Sequence, residues 1–207
     1  LLQKTKVKKV VLAGALPKKE IYNPDFKLDN TAKDFINNTH NKGDDHLLRA
    51  FQLFLKTKLG VSVIDSRVFL KSILAPKGVL TRRAPTEKEW SDLRFGFRIA
   101  KGVGKLDIGQ TIIVKDGVVV AVEAIEGTDA AIKRGGSLCH GGAVMVKVCK
   151  PNQDLRFDLP CVGVDTLESL RSVSCGVLGM EAGKTLVISK DKMIDIANKN
   201  NMTLVGL

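Results

Sequence analysis

Aromatic side chains make up only 5% of the 207 residues, with one Trp and one Tyr, too few to stack successive bases as single-strand nucleic-acid binders do. Cysteine is also scarce. Cys139, Cys149, Cys161 and Cys175 stand in separate segments without a C-x-x-C pair. A zinc site joining them to His140 therefore lacks its signature, and small, buried, reduced side chains are expected instead, in keeping with a cytoplasmic setting. No apolar run approaches the ~18 residues of a membrane-spanning helix, and the lysines within residues 1–10 disfavour a signal-peptide core. The loops G-x-x-x-x-G-K-[ST], G-x-S-x-G and H-E-x-x-H are missing, which removes support for the common nucleotide-hydrolase, serine-hydrolase and zinc-protease chemistries.

What is present suits a globular protein. Hydrophobic residues are 44% and charged residues 27%, enough for one sizeable domain or two small ones. The net charge of +11 is unevenly placed: residues 1–85 hold 17 Lys and Arg against 7 Asp and Glu, residues 86–207 hold 16 against 15. A basic half suits phosphate ligands, nucleic acid or an anionic membrane surface, and a lysine-rich solvated face is the alternative.

Hydrophobic periodicity and punctuation predict the elements. A strand over Val7–Gly14 opens into a loop at Ala15-Leu16-Pro17, and a polar helix covers Asn30–Asn38. A second helix, capped by Asp44-Asp45 and carrying Leu47, Leu48, Phe51, Leu55 and Leu59 at helical spacing, stops at Gly60 before a strand at Val61–Ile64. Strand, helix and strand in this order predict part of a parallel, Rossmann-like sheet. Leu1-Leu2-Gln3-Lys4 reads as the end of a helix, so an amino-terminal piece is expected to be missing.

Pro76 and Pro85 bracket an aperiodic segment at the charge shift, which places the boundary between a first domain over 1–85 and a second over 86–207. Thr86-x-x-Glu89 is a capping box for a helix expected to break at Gly102 and Gly104. Lys115-Asp116-Gly117 signals a hairpin between Thr111–Val114 and Val118–Ile125. After a glycine-rich stretch at Gly135-Gly136 and Gly141-Gly142 come a strand over Ala143–Cys149, a helix from Asp165 and paired strands at Val177–Met180 and Thr185–Ile188. A helix over Asp191–Asn200 and a strand at Thr203–Val205 finish the sequence. The expected fold class is α/β, a partial Rossmann-like first domain with a second mixed α/β domain.

Two loops concentrate chemistry. Glu123-Ala124-Ile125-Glu126-Gly127-Thr128-Asp129 follows a strand and opens a helix whose amino terminus is an anion site, with Glu126 and Asp129 as candidate catalytic acids and Thr128 beside them. The alternative is that Asp129 is a cap and Glu126 a solvated turn residue. In Lys147-Val148-Cys149-Lys150-Pro151-Asn152-Gln153-Asp154-Leu155-Arg156-Phe157-Asp158, Lys147 and Lys150 fall on opposite faces of a regular strand. Asp154 and Asp158 are placed to converge on one ion. Carboxylates that hold Mg²⁺ or orient water, with Lys150 and Arg156 neutralising phosphate charge, suit phosphoanhydride hydrolysis, and surface ion pairing is the alternative. Arg82 and Arg83 add a bidentate phosphate clamp. Lys42-Gly43-Asp44-Asp45-His46 and Arg49 are weaker candidates.

Gly43-Asp44-Asp45, Leu74-Ala75-Pro76-x-Gly78-Val79-Leu80-Thr81-Arg82-Arg83-Ala84-Pro85, Asp107-Ile108-Gly109-Gln110, Val122–Asp129, Lys150-Pro151-x-x-Asp154-x-Arg156-x-Asp158-Leu159-Pro160 and Glu181-Ala182-Gly183 together resemble the two-domain, calcineurin-unrelated UDP-2,3-diacylglucosamine pyrophosphatases of lipid A synthesis. The resemblance spans essentially the whole sequence with its motifs in order, except that family members begin with a further strand and glycine-rich loop. It implies a lipid-bearing UDP-sugar held between two domains and Mg²⁺-dependent hydrolysis to UMP and 2,3-diacylglucosamine 1-phosphate, water attacking the sugar-side phosphorus. Carried over, the Glu126/Asp129 and Asp154/Asp158 loops match the acidic motifs, Asp154 and Asp158 as metal ligands, and Arg82 and Arg83 the basic interdomain motif. It further implies a cytoplasmic homo-oligomer with peripheral contact to the inner membrane and no specific nucleic acid. A non-catalytic phospho-ligand or nucleotide-sugar binding protein is the alternative; sequence-independent nucleic-acid binding rests on net charge alone. Arg82-Arg83 and the Glu126/Asp129 loop are expected to face one cleft.

Overall fold

In the computed structural model, described for residues 2, 4–14, 23, 27–39, 43–156 and 158–207, the chain forms two compact units. The first comprises Leu1–Phe69 with Asn152–Asp158, the second Leu70–Pro151 with Leu159–Leu207. The loop expected at Ala15-Leu16-Pro17 and the candidate Lys42 lie outside the described residues.

The first unit contains β1 (Lys9–Val10), α1 (Asn30–Asn37), α2 (Asp44–Leu59) and β2 (Ser62–Val63). Asp29 caps α1 by accepting from the Ala32 amide at 2.7 Å. The helix α2 starts at Asp44 itself, Gly43 holding the N-cap position, and ends where Gly60 turns left-handed. Its apolar stripe buries Leu55 with Leu48, Phe54 and Leu59 against Val10, Leu12 and Val63. Phe35 of α1 meets Phe51 and Phe54 edge-on at 6.1 and 6.0 Å. As expected, β1 and β2 pair in parallel, Lys9 opposite Ser62 and Val10 opposite Val63. A short helix, α3 (Arg67–Leu70), follows.

The second unit is a three-layer α/β/α sandwich, described from β3 (Gly78–Val79), α4 (Glu87–Lys105), β4 (Thr111–Lys115), β5 (Val118–Val122), α5 (Thr128–Cys139), β6 (Val144–Lys147), β7 (Cys161–Val162), α6 (Val164–Ser172), β8 (Val177–Met180), β9 (Leu186–Val187), α7 (Lys190–Lys199) and β10 (Thr203–Gly206). Six strands form a mixed sheet in the order β3-β10-β8-β6-β4-β5. The strands β6, β8 and β10 are parallel, while β3 and β4 run against their neighbours.

Period-2 alternation divides the side chains between two cores. Ile112, Val114, Val144, Val146, Val177 and Val205 pack beneath α4 with Leu93 and Ala100. The alternate residues Ile113, Met145, Leu178, Met180 and Leu204 face Ile132, Leu167, Leu170, Met193 and Ala197 of α5, α6 and α7. Both capping-box bonds between Thr86 and Glu89 form at the start of α4. Asp92 of α4, 4% exposed, accepts from the Asp116 and Gly117 amides at 2.9 and 2.7 Å, which pins the two-residue hairpin turn, both turn residues having positive φ.

Three expectations fail for physical reasons. The helix α4 passes Gly102 and Gly104 to Lys105, and α5 runs through Gly135-Gly136, because Gly104, Gly135 and Gly136 serve close packing, whereas a Cβ on Gly102 would meet nothing within 4 Å. A Cβ on Gly136 would stand 2.2 Å from the Cβ of Val173. Finally, β9 does not pair with β8: it joins β7 in a separate parallel pair, Cys161 opposite Leu186, since Glu181–Thr185 forms a turn that leaves the main sheet.

Candidate functional site

The carboxyl ends of β5, β6 and β8 share one end of the six-stranded sheet, the end where open α/β sheets bind ligands. Buried charge collects there: Glu123 is 8% exposed, Lys147 6%, Lys150 4% and Glu181 6%. The loop Asp107–Gln110 covers Glu123 so closely that a Cβ on Gly109 would fall 2.0 Å from the Glu123 carbonyl oxygen, so only glycine fits. The Gln110 amide then donates to Glu123 Oε2 at 3.4 Å.

From Gly127 the chain enters α5 with no side-chain cap, so the first amides of the helix are left to other acceptors. Thr128, the first residue, donates its hydroxyl to Glu123 Oε1 at 2.7 Å and accepts from Lys147 Nζ at 2.9 Å. Beside this group, Glu181 accepts from Lys101 Nζ (2.9 Å), Lys184 Nζ (2.8 Å) and the Cys149 amide (2.9 Å). Burial works to raise the Glu181 pKa, but the two ammonium groups and the amide outweigh it and hold the carboxyl below its ordinary range. Lys150 Nζ pairs with Asp107 at 2.6 Å.

Glu126 and Asp129 turn to different partners. Glu126 binds Arg134 at 2.7 Å and the Ala124 amide at 3.1 Å. Burial raises the pKa of Glu126, and those bonds bring it net below the ordinary value. Asp129 accepts from Ser169 on α6 at 3.0 Å. Arg83 donates to Thr203 Oγ1 at 2.6 Å and to Glu89, and the Arg82 backbone amide donates to Asn198 at 2.8 Å. The cleft expected between Arg82-Arg83 and the Glu126/Asp129 loop does not form in the second unit. Because β3 is antiparallel to β10, Arg82 and Arg83 sit by Thr203 at the amino end of β10, whereas Glu126 and Asp129 follow β5, at the other lateral edge and the opposite end of the sheet.

Asp154 and Asp158 belong to the first unit. The Arg156 guanidinium grips both Asp154 oxygens, Nε to Oδ1 at 2.9 Å and Nη2 to Oδ2 at 2.6 Å. That pairing, against the opposing effect of burial, holds the Asp154 carboxyl well below its ordinary value. Asp158 accepts from Gln153, and its amide donates to the Asp154 carbonyl at 3.4 Å. The same local geometry recurs at Asp65-Ser66-Arg67, where Arg67 Nη2 meets Asp65 Oδ2 at 2.6 Å and depresses the Asp65 pKa. The charge of Asp154 opposes that lowering at Asp65. Arg49 adds a bond to the Asn152 carbonyl at 3.0 Å.

Among the described residues no three His, Cys, Asp or Glu side chains are grouped to hold a metal by themselves. Asp154 and Asp158 are hard oxygen donors of the kind that hold Mg²⁺ together with substrate phosphates and water, but Arg156 occupies both Asp154 oxygens and Gln153 donates to Asp158, so a cation there would have to displace those partners. His140 closes α5 in a left-handed conformation. Burial pushes the Cys175 thiol, next to Cys139, up to about 11, so it is unreactive.

Sequence reasoning quoted Glu123 and Lys147 without assigning them roles, and it missed Lys101, Asp107, Asp65, Arg67 and Glu181 as charged partners. One signal was available: Lys147 continues the all-buried Val144-Met145-Val146 strand, where a charged residue needs a reason.

The family description LpxI N-terminal domain matches residues 1–73 and LpxI C-terminal domain matches residues 76–205. The chain belongs to the LpxI family. A curated relative from Caulobacter vibrioides, UDP-2,3-diacylglucosamine pyrophosphatase LpxI, is 35% identical over 175 residues, 80% of this chain and 62% of the relative. The chain therefore spans about three fifths of that LpxI protein. A shorter likeness, 35% over 82 residues, covers 37% of this chain and 16% of a bifunctional purine biosynthesis protein PurH from Thermoanaerobacter. Among the described residues no helix is long and apolar enough to cross a membrane.

Proposed function

We propose that this chain hydrolyses the pyrophosphate of UDP-2,3-diacylglucosamine to UMP and 2,3-diacylglucosamine 1-phosphate. The observation that carries the reading is family membership across both LpxI domains, with a 35% identical relative of that name. Local chemistry supports it. Pyrophosphate hydrolysis needs cationic groups for the phosphates and carboxylates for a cation and water; the second unit provides Lys147 and Lys150, and the first provides Arg156, Asp154 and Asp158.

In this reading Asp154 and Asp158 hold Mg²⁺, which neutralises phosphate charge when bound. Arg156 and Lys150 contact phosphate, Thr128 orients it, and Glu126 and Asp129 handle water or its proton. We also place the protein at the cytoplasmic face of the inner membrane as a homo-oligomer, since the basic first half, 17 Lys and Arg against 7 acids, suits an anionic surface. The test incubates the purified chain with UDP-2,3-diacylglucosamine. UMP release that stops with a chelator and returns with Mg²⁺ supports both the reaction and the metal. Release unaffected by chelation removes the metal, and tight substrate binding without UMP release makes the chain a binding protein.

A further inference from the structure

Lys147 makes no direct ion pair among the described residues and reaches the Glu123 carboxylate only through the Thr128 hydroxyl. Its ammonium group spends one N–H on the Thr128 hydroxyl, whose own proton goes to Glu123, so Thr128 offers it only a neutral lone pair. No carboxylate pairs with Lys147 among the described residues, although Lys101, Lys150 and Lys184 nearby each have one. A lysine 6% exposed that shares its nearby carboxylate through a hydroxyl still has N–H groups to satisfy.

Glu123, the buried carboxylate on that face, already accepts from Thr128 and from the Gln110 amide. The amides of Thr128, Asp129 and Ala130 open the 12-residue helix α5 behind an N-cap glycine that has no side chain to accept from them, leaving the positive end of the helix exposed to a ligand. Glu126 and Asp129, the acids nearest that terminus in sequence, are drawn off by Arg134 and Ser169. A second, independent feature points the same way. Thr111 is directly opposite Lys147 across β4 and β6, so the two side chains project side by side from one face of the sheet. The Thr111 hydroxyl, 0% exposed, has no hydrogen-bond partner. Lys147, bonded to the first residue of α5, thus stands between an uncapped helix start and an unpartnered threonine hydroxyl.

We propose that Lys147, Thr128 and the amino terminus of α5 form a pocket for a phosphomonoester or phosphoanhydride oxyanion, with Lys147 as its neutralising cation. Glu123 positions the pocket by holding Thr128 toward Lys147. The inference rests on the hydrolase reading only for the identity of the phosphate's owner, because the pocket's chemistry is independent of turnover.

Calorimetric titration of the intact chain with inorganic phosphate, UMP and glucosamine 1-phosphate tests it. Lys147→Met is expected to weaken phosphate binding at least tenfold, Lys147→Arg to recover part of it and Thr128→Ala to weaken it several-fold. Lys88→Met, whose lysine pairs with Asp116 on the hairpin turn, leaves binding unchanged. Tighter binding of UMP than of phosphate assigns the pocket to the nucleotide side of the substrate, and tighter binding of glucosamine 1-phosphate to the sugar side. Should Lys147→Met fail to fold, Thr128→Ala and Lys147→Arg carry the test. Phosphate affinity equal to wild type in the folded variants, or no phosphate binding by wild type, overturns the proposal. Lys147-dependent phosphate binding in a chain that releases no UMP overturns the hydrolase reading alone, and hydrolysis with unchanged phosphate affinity in the variants overturns the pocket alone.

Discussion

Asp154 stays ionised because Arg156 binds it through two parallel bonds, so an Asn replacement removes charge while keeping shape and one acceptor. Asp154→Asn and Asp158→Asn are each expected to lower kcat by about 10², the scale of losing one charge-stabilising group, with far-UV circular dichroism unchanged. Steady-state kinetics check this, and near-parental turnover in both variants removes the loop from the chemistry. Glu181 acts on stability instead. Its folded pKa lies below the ordinary 4.5, so its contribution is present above that value and is lost as pH falls through the folded pKa. Glu181→Gln should cost about 3 kcal/mol at pH 7, the scale of removing one partner from a buried ion pair, and should flatten the acid limb of a urea-midpoint-versus-pH curve. The acids of the two loops were legible from sequence because Gly127 and Pro151 flag the turns that carry them. Their partners were not. Arg134, Ser169 and Asp107 come from other elements, and only packing brings them to Glu126, Asp129 and Lys150.

Elements with their own punctuation were readable. Thr86 and Glu89 start α4, Asp116-Gly117 closes the β4–β5 hairpin and Gly60 ends α2, each through a local hydrogen-bond or dihedral requirement. Elements decided by remote partners were misread, as Gly104 of α4, Gly135 and Gly136 of α5 and the pairing of β9 show. Gly136 tests that explanation. A methyl group there meets Val173, so Gly136→Ala, although it raises helix propensity, should destabilise by about 2 kcal/mol through overpacking between α5 and α6. Urea denaturation measures it. A stabilised variant means that Gly136 is there for flexibility and that the two helices have room.

At the scale of the whole molecule, the charge asymmetry seen in the sequence has two structural counterparts within the units. The first unit gathers Arg49, Arg67 and Arg156 around Asp65 and Asp154, and the second gathers buried lysines at the carboxyl end of its sheet. Both suit phosphate-bearing ligands, and the LpxI family match spans both sequence halves. The direct test is UMP formation from UDP-2,3-diacylglucosamine by the purified chain, followed by chromatography with the Asp154→Asn protein as control. The account predicts stoichiometric release of UMP and 2,3-diacylglucosamine 1-phosphate by the wild-type chain at a rate about 10² above the variant. Intact substrate after prolonged incubation with wild-type protein and Mg²⁺, or equal rates from the two proteins, contradicts it.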